Sequence, residues 1–98
     1  MIYCFDLDGT LCTSDVEDYS WAEPLWERID RVNGLFDEGH VVKIYTARGM
    51  TSGVDYQEIT EWQLGNWGVK HHELIMGKPA ADLYIDDKAV NAEEFFNG

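Results

Sequence analysis

The sequence predicts an α/β fold: a short parallel sheet of about four strands with helices on both faces. Three observations predict it. Strand-like and helix-like stretches alternate along the chain, which implies parallel strands joined by right-handed crossovers. The first of them, MIYCFD, is a near-continuous apolar run of the kind covered on both sheet faces. The length, 98 residues, suits one domain with a real core, spanning 1–98.

The elements follow in order. Residues 1–6 form the first strand, with Cys4 alternating with Ile2 as a small core residue, and the strand stops at an acidic turn. Residues 11–23 are polar and aromatic, with Ser and Asp clusters that read as a projecting flap, a loop or small hairpin. Pro24 suits the first turn of a helix that carries Leu25, Ile29, Val32, Leu35 and Phe36 at helical spacing and ends at Gly39. Residues 41–45 (VVKIY) are a β-branched second strand running into the turn Thr46, Ala47, Arg48, Gly49. A helix over 54–67 with apolar Ile59, Trp62 and Leu64 closes at Gly65 or Gly68. Short strands at 73–76 and 83–85 flank the punctuation Gly77, Lys78, Pro79, and a helix over 89–96 finishes the chain. The sum is a three-layer, Rossmann-like sandwich with no internal repeats.

Composition narrows the function. Apolar content of 45% and aromatic content of 13% belong to a folded protein and not to an acidic tail, despite 19 acidic against 7 basic residues. The net charge of −12 argues against nucleic acid as a partner, because phosphate backbones are bound by clustered Lys and Arg. No apolar run approaches the ~18 residues of a membrane span, and the start lacks the pattern of a signal peptide. A soluble, cytoplasmic protein without a membrane partner is the expectation. Cys4 and Cys12 have no zinc or disulfide spacing.

The unusual polar residues stand at the carboxyl ends of the predicted strands, where open α/β sheets bind ligands: Asp6 and Asp8, Thr46, Lys78, Asp86 and Asp87. Four converging carboxylates repel one another, so such a site calls for a divalent cation, and an all-oxygen shell favours Mg²⁺ over zinc. Thr46 offers a hydroxyl, the turn after it offers amides, and Lys78 offers a point positive charge, a set that suits a phosphoryl group. Each residue also has a plainer reading. Arg48 binds the substrate's phosphate or leaving group or pairs with a surface acid, and Asp87 belongs to the site or caps the last helix. His71 and His72 read as surface residues, and Trp21, Trp26, Trp62 and Trp67 as core or interface, with Trp21 in the flap the best candidate for a ligand contact.

Four elements, Asp6-Leu-Asp8-Gly-Thr10, the Thr46 that ends VVKIYT, the Lys78 of GKP, and the Asp86-Asp87 of LYIDD, match in order the four motifs of the haloacid dehalogenase superfamily, which the chain therefore resembles from residue 2 to about residue 90. The resemblance implies a phosphatase in which Asp6 is the nucleophile that forms an aspartyl-phosphate and Asp8 the acid/base. Thr46, the Ala47 amide and Lys78 would hold the transferring oxygens, with Lys78 steadying Asp6. Mg²⁺ would be held by Asp6, the carbonyl of Asp8 and Asp86, with Asp87 acting through water or on its neighbours. Gly9 turns the chain away after the acids.

Many members close a cap domain over small substrates. Here the stretches 9–45 and 47–77 are filled by one loop, one helix and one strand each, so no cap is expected and the site is open unless a neighbouring subunit of a homo-oligomer supplies a lid. FDLDGTLC and IYTARGM in so short a chain resemble small phosphatases of bacterial capsular polysaccharide biosynthesis, which implies a small-molecule phosphate ester, a phosphorylated sugar or related precursor, as substrate. A capless phosphatase acting on a nucleic acid 3′-phosphate or a phosphoprotein, and a noncatalytic Mg²⁺-binding partner domain, are the alternatives.

Overall fold

A computed structural model describes residues 1–98. Three parallel strands, β1 (Ile2–Asp6), β2 (Val41–Tyr45) and β3 (Glu73–Ile75), form one sheet in the order β1-β2-β3. Three helices complete the chain: α1 (Trp26–Asp37), α2 (Gln57–Asn66) and α3 (Ala92–Asn97). None is long and apolar enough to cross a membrane.

Register decides which side chains meet. Tyr3 stands opposite Val42 and Phe5 opposite Ile44, with Leu74 beside Ile44 on β3. Successive side chains point to opposite faces, so these five share one face, and it is this face that enters the core with Ile29 and Val32 of α1 and Leu64 of α2. Phe95 and Phe96 of α3 pack edge-on and stacked against Phe5, and Arg28 and Arg31 of α1 lie over the Phe96 and Phe95 rings. The α1 chain stop is a Schellman arrangement in which His40 N–H donates to Leu35 and Gly39 N–H to Phe36.

The architecture departs from the sequence expectation in several places. The sheet has three strands, not four: residues 83–85 pair with nothing, and Leu83 and Ile85 are 75% and 92% exposed. A strand exists through its ladder, and here the bonds of the segment are local, from Lys88 N–H to Asp86 Oδ1 and from the Tyr84 hydroxyl to the Pro79 carbonyl. Helices do not cover both faces, since Ile2, Cys4, Lys43 and Glu73 on the other face are exposed or half-buried. Cys4 is therefore a surface thiol and no core residue. Pro24 precedes α1, bridging to Cys12. α2 begins at Gln57, after Asp55 Oδ1 has accepted from the Gln57 N–H, and α3 at Ala92.

The flap is a small hairpin with a paired neck. Thr13 N–H donates to Glu23 O, Glu23 N–H to Thr13 Oγ1, and Leu25 N–H to Leu11 O. Leu11 and Cys12 are fully buried at its base, so the projecting part lies beyond them and carries a single 3-10 turn, Tyr19–Trp21, capped by Asp18.

Candidate functional site

β1 and β2 run parallel and in register, so both deliver their ends to one rim of the sheet. Asp6 is the last residue of β1, beside Tyr45 at the end of β2. The ladder extends past β2, as Thr46 N–H donates to Ile75 O and Lys78 N–H to Thr46 O, which brings Lys78 back to the same rim. The Lys78 Nζ stands 3.2 Å from Asp6 Oδ1, between the rings of Tyr45 and Tyr84 at 4.5 and 4.3 Å. Burial works against its charge, but the Asp6 carboxylate and the flanking tyrosines outweigh this and hold the ammonium above its ordinary value. The second oxygen, Asp6 Oδ2, accepts from the Thr10 hydroxyl at 3.3 Å.

Beyond Asp6 the backbone turns tightly. Thr10, Leu11 and Cys12 N–H all donate to Leu7 O, and Gly9 takes a φ of 81°, a left-handed conformation that a side chain resists. Asp8 is thereby aimed away from Asp6 and meets Arg48. Arg48 Nε donates to Asp8 Oδ2 at 2.9 Å and Nη2 to Asp8 Oδ1 at 2.8 Å, a two-point pair whose guanidinium is fully buried. Arg48 is held in place by the turn that follows β2: its N–H donates to Thr46 Oγ1 at 3.1 Å. Gly49 comes next at φ 82°, where a Cβ would lie 2.1 Å from Val54 O, so only glycine fits there.

The like charges of Asp6 and Asp8 are thus each met by a separate monovalent cation, Lys78 and Arg48. These two pairings offset the repulsion between Asp6 and Asp8. Asp86 and Asp87 are not drawn in beside them. Both are exposed, and Asp86 is held below the usual carboxylate range by the Lys88 N–H and by a hydrogen bond with Asp87. Asp87 does not cap the last helix, since Asn91 does so by accepting from Glu93 N–H. No group of three His, Cys, Asp or Glu side chains converges closely enough to hold a metal ion. Asp6 and Asp86 do line one cavity of about 550 Å³ along the outer edge of β1, and a pair of carboxylates is a donor set that fits Mg²⁺, which keeps several of its waters and is held by one or two carboxylates together with a substrate phosphate.

The remaining candidates divide between two places. Thr46 is buried, its oxygen engaged by Arg48 N–H, whereas the N–H groups of Ala47 and Asp8 donate to no group in the chain. Ala47 lines a second cavity, of about 520 Å³, between the flap (Ser14, Asp18, Tyr19) and the loop through Gly49 to Tyr56. Arg48, expected at a substrate phosphate or on the surface, is at neither, being 3% exposed and wholly engaged inside.

Three residues belong here that sequence reasoning missed. Thr60 and Gln63 of α2 accept from Arg48 Nη1 at 3.1 and 2.6 Å, and the Tyr19 ring lies 4.5 Å from the guanidinium carbon. Their signal is faint: a Thr and a Gln three positions apart on a helix whose apolar residues, Ile59 and Trp62, suggest another face. His71 and His72 lie away from the rim, as read. The His72 Nδ1 accepts from Val42 N–H and its ring stacks on Phe36. Of the tryptophans only Trp67 is buried, and Trp21, Trp26 and Trp62 are exposed.

No family model matches the chain, and no curated protein does. A solved structure does match it. The crystal structure of a target protein from Vibrio cholerae is 29% identical, with a TM-score of 0.90 over 99% of this chain and 88% of that one. The likeness extends to nearly the whole backbone, and the chemistry has to be read from the side chains.

Proposed function

We propose that the chain is a phosphomonoester hydrolase of the haloacid dehalogenase type that works through an aspartyl-phosphate on Asp6. The observation that carries this reading is the Asp6–Lys78 pair at 3.2 Å on the rim of a parallel sheet, with a second carboxylate two residues on and held by its own cation. An Asp6 oxygen attacks phosphorus, the bond from phosphorus to the ester oxygen breaks, and the leaving alkoxide takes a proton from Asp8, whose partly exposed carboxyl has been protonated from solvent before the step. Water then attacks the aspartyl-phosphate while Asp8 takes the proton back, which releases inorganic phosphate and restores the Asp6 carboxylate. Lys78 offsets the charge that gathers on the phosphoryl oxygens, and Thr10 steadies the Asp6 oxygen that does not face Lys78. The unengaged Ala47 and Asp8 N–H groups suit the same oxygens.

The resemblance adds Mg²⁺, with Asp86 and Asp87 as further ligands, and added metal ion is accordingly a variable of the test. The substrate we infer is a small phosphate ester such as a phosphorylated sugar of capsule biosynthesis. Cavities of about 550 and 520 Å³ are in the range that takes small molecules. Five of the seven cations are committed to internal ion pairs, which disfavours a polyanionic substrate.

The test is phosphate release from 4-nitrophenyl phosphate and from a panel of sugar phosphates, nucleotides and phosphopeptides, with and without added Mg²⁺. Turnover that Asp6→Asn abolishes is the expected outcome. Release that survives Asp6→Asn rejects the mechanism, and a preference for phosphopeptides or nucleotides rejects the substrate class.

A further inference from the structure

Arg48 has no hydrogen-bond donor left to offer a ligand. A guanidinium carries five N–H groups, and all are accounted for: Nε on Asp8 Oδ2, Nη2 on Asp8 Oδ1 and, at 3.9 Å, on Cys12 Sγ, and Nη1 on Thr60 Oγ1 and Gln63 Oε1. Its flat face is covered by the Tyr19 ring. The acceptors are themselves tied down. Thr60 Oγ1 donates to Tyr56 O at 2.7 Å, Gln63 Nε2 donates to Tyr19 O at 2.7 Å, and the Tyr19 and Tyr56 rings meet edge to face. Rotation of the guanidinium would break several of these bonds together, so α2 and the flap fix its plane.

A two-point pair transmits that plane to its partner. Bonds from two nitrogens to two oxygens hold the Asp8 carboxylate coplanar with the guanidinium, and Cys12 Sγ adds a contact to Oδ1 at 3.5 Å. Asp8 remains 22% exposed at the rim while Arg48 does not reach it. We propose that Arg48 is a positioning residue, which sets the orientation of the Asp8 carboxylate for proton delivery to the leaving oxygen and does not touch the substrate. The assignment rests on the reading of Asp8 as proton carrier given above. It extends to Thr60 and Gln63, which act through Arg48, and it explains why a helix buries two polar side chains where apolar ones would fill the same space.

The experiment compares two substrates, an alkyl phosphate whose leaving oxygen needs a proton and 4-nitrophenyl phosphate, which needs one far less, across wild type, Arg48→Lys, Arg48→Ala and Thr60→Val. A lysine cannot make the two-point pair. Arg48→Lys is expected to lower kcat on the alkyl ester by about 10²-fold, the scale of a misplaced general acid, with KM unchanged within about twofold and a much smaller loss on the aryl ester. Added guanidinium ion is expected to restore part of the alkyl activity to Arg48→Ala. Thr60→Val keeps the Arg48–Asp8 pair, is the milder change should the others fail to fold, and is expected to show the same split on a smaller scale.

A raised KM with kcat retained would make Arg48 a substrate binder and overturn the proposal, as would equal losses on both esters in the folded variants. A wild type that hydrolyses no phosphate ester is a different failure: it removes the proton carrier itself, and this assignment falls with the proposed function. An active wild type whose Arg48 variants match it overturns this assignment alone.

Discussion

Asp6 and Asp8 stand two positions apart in sequence, yet Gly9 and the turn on Leu7 O send them to different cations, and that separation is what makes a pair of ionised groups tolerable at the end of a half-buried strand. Cys12 records the same electrostatics. Burial, with the Asp8 charge adding to it, pushes its thiol up to about 12. Cys4, on the open face, is raised too, by burial that is only partial. With a thiol-specific disulfide reagent at about pH 8, Cys4 is expected to react in the folded protein and Cys12 only after unfolding, since reaction needs an accessible thiolate. Equal rates for both would contradict the arrangement. The sign for stability follows. The folded chain keeps a Cys12 proton that the unfolded chain releases above 9.0, so this contribution is intact below that value and declines as pH climbs toward 12.

At the scale of elements, the exposed 83–85 segment is the sharpest divergence between sequence and structure, and it is testable. Ile85→Lys and Leu83→Lys are expected to shift the urea unfolding free energy by no more than about 0.5 kcal/mol, because both side chains are solvated, whereas Leu64→Ala in the core is expected to cost about 2–5 kcal/mol. A multi-kcal loss from Ile85→Lys would mean that the segment is packed as a strand. The first two strands and α1 were legible because their apolar residues are buried with the period of their own element: Phe5, Val42 and Ile44 on the strands, Ile29 and Val32 on the helix. The segment around Ile85 has the same composition but lacks a ladder partner, which no local pattern can reveal. Thr60 and Gln63 of α2 went unread for a related reason. Thr60 and Gln63 are buried to satisfy Arg48, a requirement that arises 12 and 15 residues away.

For the molecule as a whole, a net charge of −12 sits on a sheet with one packed face and a rim that gathers Asp6, Asp8, Thr46 and Lys78. That gathering was legible in the sequence because parallel strands place their carboxyl ends together whatever the details of packing. The fourth strand expected to carry Asp86 and Asp87 to the rim is absent, and Asp86 meets Asp6 only along the lining of one cavity. The flap, α2 and the turn after β2 are joined through Arg48, so the projecting flap is braced against the residue that holds Asp8. The central claim is that Asp6 carries the phosphoryl group. Rapid mixing of Asp8→Asn with 4-nitrophenyl phosphate, followed by acid quench and peptide mapping, tests it most directly. The account expects a burst of one nitrophenol per active chain and a phosphorylated peptide containing Asp6, and a burst without phosphate on Asp6, or turnover with neither, would contradict it.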